Sequence, residues 1–162
     1  MIEFNSRWNL DKNSLEFLIK LIKDKNIKSI LEIGTFNGYT AYELSKYCNI
    51  TTIEKDENQF EISKNNLKQI KNIKLIKGDA KEVIKNLKED FNLIFIDAIK
   101  KEYIEYIKLL EEHKLIKKNT IIIADNVISH KDKVQDYLEY VKKYYNSTTL
   151  NIGKGLELSK NE

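Results

Sequence analysis

A chain of 162 residues with 41% hydrophobic content can bury one sizeable core and is too short for two independent ones. Its apolar runs, such as Leu93 to Ile96 and Ile121 to Ala124, fall far below the roughly 18 to 20 residues that cross a bilayer, and the polar start Met1-Ile2-Glu3-Phe4-Asn5 lacks a secretory pattern. The 28 basic and 25 acidic residues leave a net charge of +3 with no block of one sign, a weak argument for nucleic acid, and a lone Cys48 excludes an intramolecular disulfide framework and fits a cytoplasmic setting.

One domain over residues 1–162 is expected, beginning with a short helical segment at about 1–26, where Leu15, Leu18, Ile19 and Ile22 share a face. A strand over Lys28 to Ile33 runs into a glycine loop, Gly34 to Gly38. Strands follow at Ile50 to Glu54, Ile73 to Lys77, Asn92 to Asp97 and Thr120 to Asp125. Between them lie helical stripes: Phe60, Ser63, Leu67 and Ile70; then Tyr103, Ile107 and Leu110. Val134, Tyr137, Leu138, Val141 and Tyr145 mark the last helix, and Thr148 to Ile152 and Leu156 to Ser159 flank Gly153-Lys154-Gly155 at hairpin spacing. The pattern predicts an α/β, doubly wound, mainly parallel seven-stranded sheet with an antiparallel edge strand and helices on both faces.

Ligands of such sheets bind at the carboxyl ends of the strands, and here those ends are acidic: Glu32, Glu54, Asp79, Asp97 and Asp125-Asn126. Acids also favour helix N-termini, which accounts for any one of them alone. Gly34 and Gly38 are spaced unlike the dinucleotide fingerprint GxGxxG, with Phe36 in the middle, and no P-loop is present. Glu32 beside the loop would repel pyrophosphate and suit a cation, while Glu54, about 20 residues on, suits ribose hydroxyls. A ribose-containing ligand with a cationic part and no phosphates is implied, the profile of S-adenosylmethionine.

The run Leu31-Glu32-Ile33-Gly34-Thr35-Phe36-Asn37-Gly38-Tyr39-Thr40 resembles the first motif of the catechol O-methyltransferase-like family of class I, Rossmann-like methyltransferases. Thr52-Ile53-Glu54 is similar to its ribose-binding acid, next to Lys55, and Gly78-Asp79-Ala80 to its adenine-binding turn. Phe95 to Tyr103, containing Asp97-x-x-Lys100, resembles the metal and catalytic motif, Ile123 to Val127 the second metal motif, and Gly153-Lys154-Gly155-Leu156 the closing turn. The similarity spans roughly residues 15 to 160. It implies a cofactor site of Glu32, Gly34, Phe36, Gly38, Thr40, Glu54, Lys55, Gly78, Asp79, Ala80 and Asp97, with Asp97, Asp125 and Asn126 holding a divalent cation, Mg²⁺, through hard oxygen donors. Lys100 is then the general base, and the reaction is methyl transfer to a hydroxyl of a small catechol-like or vicinal diol acceptor.

Only about thirty residues precede the glycine loop, where the resemblance calls for a longer helical section over the acceptor pocket, so an open pocket is expected. Phe4 and Trp8 are read as packing on the core in preference to forming a shortened lid. His113 is read as structural, and His130 as a candidate wall of the acceptor site. Tyr137, Tyr140, Tyr144 and Tyr145 beside Lys142 and Lys143 raise base stacking, although core or homodimer packing fits their helical spacing better. Two alternatives stay open: a transfer RNA hydroxyuridine methyltransferase of the same fold, and a non-catalytic S-adenosylmethionine-binding module.

Overall fold

The computed structural model describes residues 2–162; Met1 lies outside the described residues. The chain runs α1 (Lys12–Asp24), β1 (Ser29–Ile33), α2 (Tyr39–Ser45), β2 (Asn49–Glu54), α3 (Glu57–Leu67), β3 (Ile73–Lys77), α4 (Ala80–Val83) and β4 (Leu93–Ile96). It continues with α5 (Tyr103–Glu112), β5 (Ile121–Asp125), α6 (Lys131–Tyr144), β6 (Asn146–Leu150) and β7 (Leu156–Lys160). Short 3₁₀ turns at Ile84–Asn86 and Lys100–Glu102 adjoin α4 and α5.

The seven strands form one sheet in the order β3-β2-β1-β4-β5-β7-β6, with β1 to β5 parallel and β7 antiparallel to both of its neighbours. Alternation along the central strands sorts the core into two layers, as the period of a strand requires. Leu31, Ile33, Ile94, Ile96, Ile122 and Ala124 face α4, α5 and α6. Ile30, Leu93, Phe95, Ile121 and Ile123 face α1 and α2. Each fully buried Leu or Ile contributes about 1.5–3 kcal/mol by leaving water. Chain order reverses between β1 and β4, so a crevice opens there at the carboxyl ends.

The predicted strands and doubly wound class are found, with shifts at the two ends of the chain. The helix expected over about 1–26 occupies only Lys12–Asp24, where Asp11 caps it by accepting the Ser14 N–H at 2.9 Å. Residues before Asp11 form an irregular strap. The last strand pair is offset: β6 begins at Asn146, two residues before the expected start, and residues 151–155 make a longer connection. That connection hydrogen-bonds to the loop after β5, since Lys154 O accepts from Ile128 N at 3.1 Å and from Ser129 N at 3.0 Å.

The tyrosine stripe does not form a stacking platform. Tyr137 is wholly buried, and Tyr140 and Tyr145 donate to the Glu111 carboxylate at 2.6 and 2.5 Å, leaving only Tyr144 of the four exposed. His113 caps the end of α5, as expected of a structural residue. No helix among the described residues is long and apolar enough to cross a membrane.

Candidate functional site

A cavity of about 590 Å³ opens at the ends of β1 to β4. Its floor depends on a close approach: Gly34 has φ +100° and a methyl group there would lie 2.0 Å from the Asp97 carbonyl oxygen, so only glycine lets β1 and β4 meet in this way. Phe36 also holds a left-handed backbone, φ 55°, an uncommon state for a bulky residue. The Glu54 carboxylate stabilises it by accepting the Phe36 N–H at 2.7 Å, while its other oxygen accepts the Asp56 N–H at 2.8 Å. Each carboxylate oxygen keeps a second lone pair, and Glu54 lines the cavity, so it can still receive ribose hydroxyls.

Lys55, Gly78, Asp79, Ala80, Asp97 and Ile99 complete the wall. Asp79 pairs with Lys55 at 3.0 Å and accepts the Lys81 N–H at 3.0 Å. Burial opposes its ionisation, but these bonds and the nearby lysines hold it below the usual carboxylate range. Three residues of the expected cofactor set do not line this cavity. Glu32 is 1% exposed and accepts the Thr52 hydroxyl at 2.6 Å; burial pushes its pKa up to about 8 against that hydrogen bond, and the Asp97 and Glu54 charges add to the rise. Gly38 packs against Leu67, and Thr40 is buried on α2. The strand period turns Glu32 away from the crevice, towards Thr52.

A second cavity, about 370 Å³, adjoins the first and shares Asp97 with it. Lys100, Asp125, Asn126 and His130 line it, joined by Arg7, Trp8 and Lys154. The β4 and β5 ladder brings Asp97 and Asp125 to the same sheet end. Lys100 Nζ donates to Asp97 Oδ1 and to the Ala98 carbonyl, both at 3.1 Å. Asp125 is 5% exposed, and burial followed by the charge of Asp97 pushes its carboxyl above the usual range, with Lys100 and the Asn126 N–H opposing. Tyr103 fixes this strand end by donating to the Asp125 carbonyl at 3.1 Å. Capping does not explain the pair, since α6 starts at Lys131 and has no side-chain cap. Asn126 adopts φ 64°, a conformation asparagine tolerates better than most residues.

The donor chemistry suits a hard divalent cation. Asp125 has no ion-pair partner among the described residues, while the charge of Asp97 acts on it across the shared cavity. The Asn126 amide could add one neutral oxygen to the carboxylates of Asp97 and Asp125; no cluster of three His, Cys, Asp or Glu side chains arranged for a metal occurs among the described residues.

None of Arg7, Trp8, Asn9 and Lys154 was expected at this cavity: Arg7 and Asn9 carry no motif, Lys154 was seen only as the middle residue of the closing Gly-x-Gly turn, and Trp8 was expected on the core. Phe4 does pack there, against Tyr39 and Tyr42, but Trp8 is 64% exposed and stands on the second cavity. The strap is tied to the glycine loop by side-chain amides: Asn37 Nδ2 donates to Asn9 Oδ1 at 2.8 Å, and Asn66 Nδ2 donates to the Asn37 and Glu3 carbonyls at 2.9 and 3.1 Å. A tie of this kind joins residues far apart in the chain and leaves no local pattern. His130 lines the cavity as the sequence suggested; burial and the charges of Lys100 and Lys133 hold its pKa below the usual range.

A cavity at the switch point walled by Glu54 and beside an acid and lysine cavity belongs to a Rossmann-like domain of class I methyltransferase architecture. The chain belongs to the O-methyltransferase family, whose model matches residues 4–157. It is 29% identical over 137 residues to catechol O-methyltransferase B of Danio rerio, covering 77% of this chain and 51% of that protein. The chain spans about half the length of the curated relatives it matches, 52% in the case of a caffeoyl-CoA O-methyltransferase from Populus kitakamiensis that is 32% identical over 124 residues, 69% of this chain. Among solved structures, the SAH-bound methyltransferase PaMTH1 of Podospora anserina superposes with a TM-score of 0.87 at 22% identity, covering 94% of this chain and 80% of its own.

Proposed function

We propose that this chain is one methyltransferase domain that binds S-adenosylmethionine in the larger cavity and transfers its methyl group to a hydroxyl of a small catechol-like or vicinal diol acceptor in the smaller one. The observation that carries the reading is Asp97, which lines both cavities and is hydrogen-bonded to Lys100. S-adenosylhomocysteine bound to the neighbour PaMTH1 and the catechol acceptor in the name of the Danio rerio relative support it.

In this reading Glu54 receives the ribose hydroxyls, and the Gly34 to Gly38 loop brings backbone close to the cofactor. Asp97, Asp125 and Asn126 would hold a divalent cation, magnesium, which when bound orients the acceptor and lowers the pKa of its hydroxyl. Lys100, whose ammonium would be easier to deprotonate beside a divalent cation, loses a proton to solvent first and as the neutral amine takes up the hydroxyl proton. The oxygen lone pair then forms the new bond to the methyl carbon as the carbon–sulfur bond breaks, and its electrons return to sulfur to leave a neutral thioether. Positioning of two substrates in adjoining cavities supplies the rest, and no covalent enzyme intermediate is required. The one cysteine, Cys48, is buried with its thiol pushed up to about 11 by that burial, which fits a reducing, cytoplasmic setting.

The test is calorimetric titration with S-adenosylmethionine with and without Mg²⁺, followed by methyl transfer to a panel of catechols and vicinal diols. Cofactor binding with Mg²⁺-dependent transfer is expected; failure to bind the cofactor under either condition overturns the reading.

A further inference from the structure

The acceptor cavity has a cationic rim. The Arg7 guanidinium lies 4.8 Å from the Trp8 ring centroid and the Lys154 ammonium 5.7 Å from it, so an exposed indole has two cations beside it at the mouth of the cavity that holds Lys100. Some surface lysines are matched, Lys55 with Asp79, Lys81 with Glu102 and Lys142 with Glu157, and others are not; what sets Arg7 and Lys154 apart is that both stand on this cavity beside one indole. Arg7 and Lys154 have no carboxylate within ion-pair distance among the described residues. The acids on the same wall are already engaged: Asp11 accepts from Ser14 N and Ser14 Oγ at 2.9 and 2.8 Å, Asp97 from Lys100, and Asp125 from Asn126 N.

Both cations are placed by built structure. The Lys154 carbonyl accepts two backbone N–H groups from the β5–α6 loop, and Gly153 packs so closely on the start of α1 that a methyl group there would lie 2.2 Å from Asp11 Oδ2. The strap carrying Arg7 is pinned to the glycine loop through Asn9 and Asn37. Two unmatched cations carried on anchored backbone at the rim of the cavity that holds Lys100 favour an anion there, and Arg presents a planar fork suited to a carboxylate.

Resting on the activity proposed above, we infer that the acceptor bears an anionic group, a carboxylate on the ring that carries its hydroxyls, seated between Arg7 and Lys154 beside Trp8. Trp8 is the one tryptophan of the chain, so its fluorescence reports acceptor binding directly.

The experiment measures binding of 3,4-dihydroxybenzoate, catechol and dopamine to the protein saturated with S-adenosylhomocysteine and Mg²⁺, by calorimetry and by Trp8 fluorescence, alongside methyl transfer to each. The anionic ring is expected to bind at least about tenfold tighter than catechol, the scale of one charge-assisted hydrogen bond, with dopamine weakest. R7Q/K154Q should remove the preference, and an unchanged affinity for S-adenosylhomocysteine, which binds in the other cavity, certifies that the variant folds. Equal affinity for the anionic and neutral rings, a preference that survives the double variant, or no binding of any of the three overturns the inference. Transfer to catechol without a carboxylate preference sinks this inference alone. A carboxylate preference in binding without transfer to any ring sinks the activity and leaves the anion site standing.

Discussion

The two cavities differ in how they are made. The larger is assembled from consecutive strand, loop and helix units: Gly34 and Phe36 follow β1, Glu54 closes β2, and Gly78 and Asp79 follow β3. The smaller gathers Arg7, Asp97, Asp125, His130 and Lys154 from five separated segments, one of them a strap with no regular structure. A cofactor site built on the sheet is fixed by the fold, whereas an acceptor site rimmed by strap and turn can change without disturbing it.

The strongest way to break this comparison is to cut the smaller cavity and watch the larger. Asp125→Ala should lower kcat by about 10³-fold or more, the several kcal/mol that metal-assisted charge stabilisation carries, with cofactor affinity kept within about threefold. Steady-state kinetics with calorimetry checks this, and a parallel loss of cofactor binding would mean that the cavities are not separable. The converse cut is Glu54→Gln, which removes an acceptor of the Phe36 or Asp56 N–H. Cofactor affinity is expected to fall about 10- to 100-fold by calorimetry, because hydrogen bonds to charged groups contribute about 1.5–3 kcal/mol.

A smaller effect separates burial from binding at Glu32. The folded protein keeps this carboxyl protonated up to about pH 8, while the unfolded chain releases the proton near 4.5. Its contribution to stability is therefore complete below about pH 4.5 and is lost as the pH rises towards 8. Thermal melts of the cofactor-free protein should show that decline, and Glu32→Gln should flatten it; an unchanged slope would contradict the buried, protonated state. The least effect is expected away from both cavities. The Tyr137 hydroxyl is buried without a hydrogen-bond partner among the described residues, so Tyr137→Phe should shift stability by no more than about 1 kcal/mol and leave kinetics unchanged.

What the sequence revealed follows the same division. Short apolar runs ending in glycine or acid placed β1 to β5, and the Asp97-x-x-Lys100 and Asp125-Asn126 pairs were legible because a parallel sheet delivers strand ends to one side. Glu32, expected at the cofactor, does not line the larger cavity, and proximity to the loop in sequence does not reveal that its side chain turns towards Thr52. Trp8 was placed on the core, where aromatic composition alone points. Arg7 and Lys154 had no signal, because lysine is abundant and their meeting depends on Asn9 with Asn37 and on the Gly153 contact with Asp11. The hairpin offset had the same origin, a turn hydrogen-bonded to a loop some 25 residues earlier in the chain.

The central claim is most directly tested by a crystal structure with S-adenosylhomocysteine and Mn²⁺, read by anomalous scattering. The account predicts the nucleoside against Glu54 and one metal peak about 2 Å from oxygens of Asp97, Asp125 and Asn126. A metal bound elsewhere, or Asp125 and Asn126 turned away from the ion beside Asp97, would contradict it.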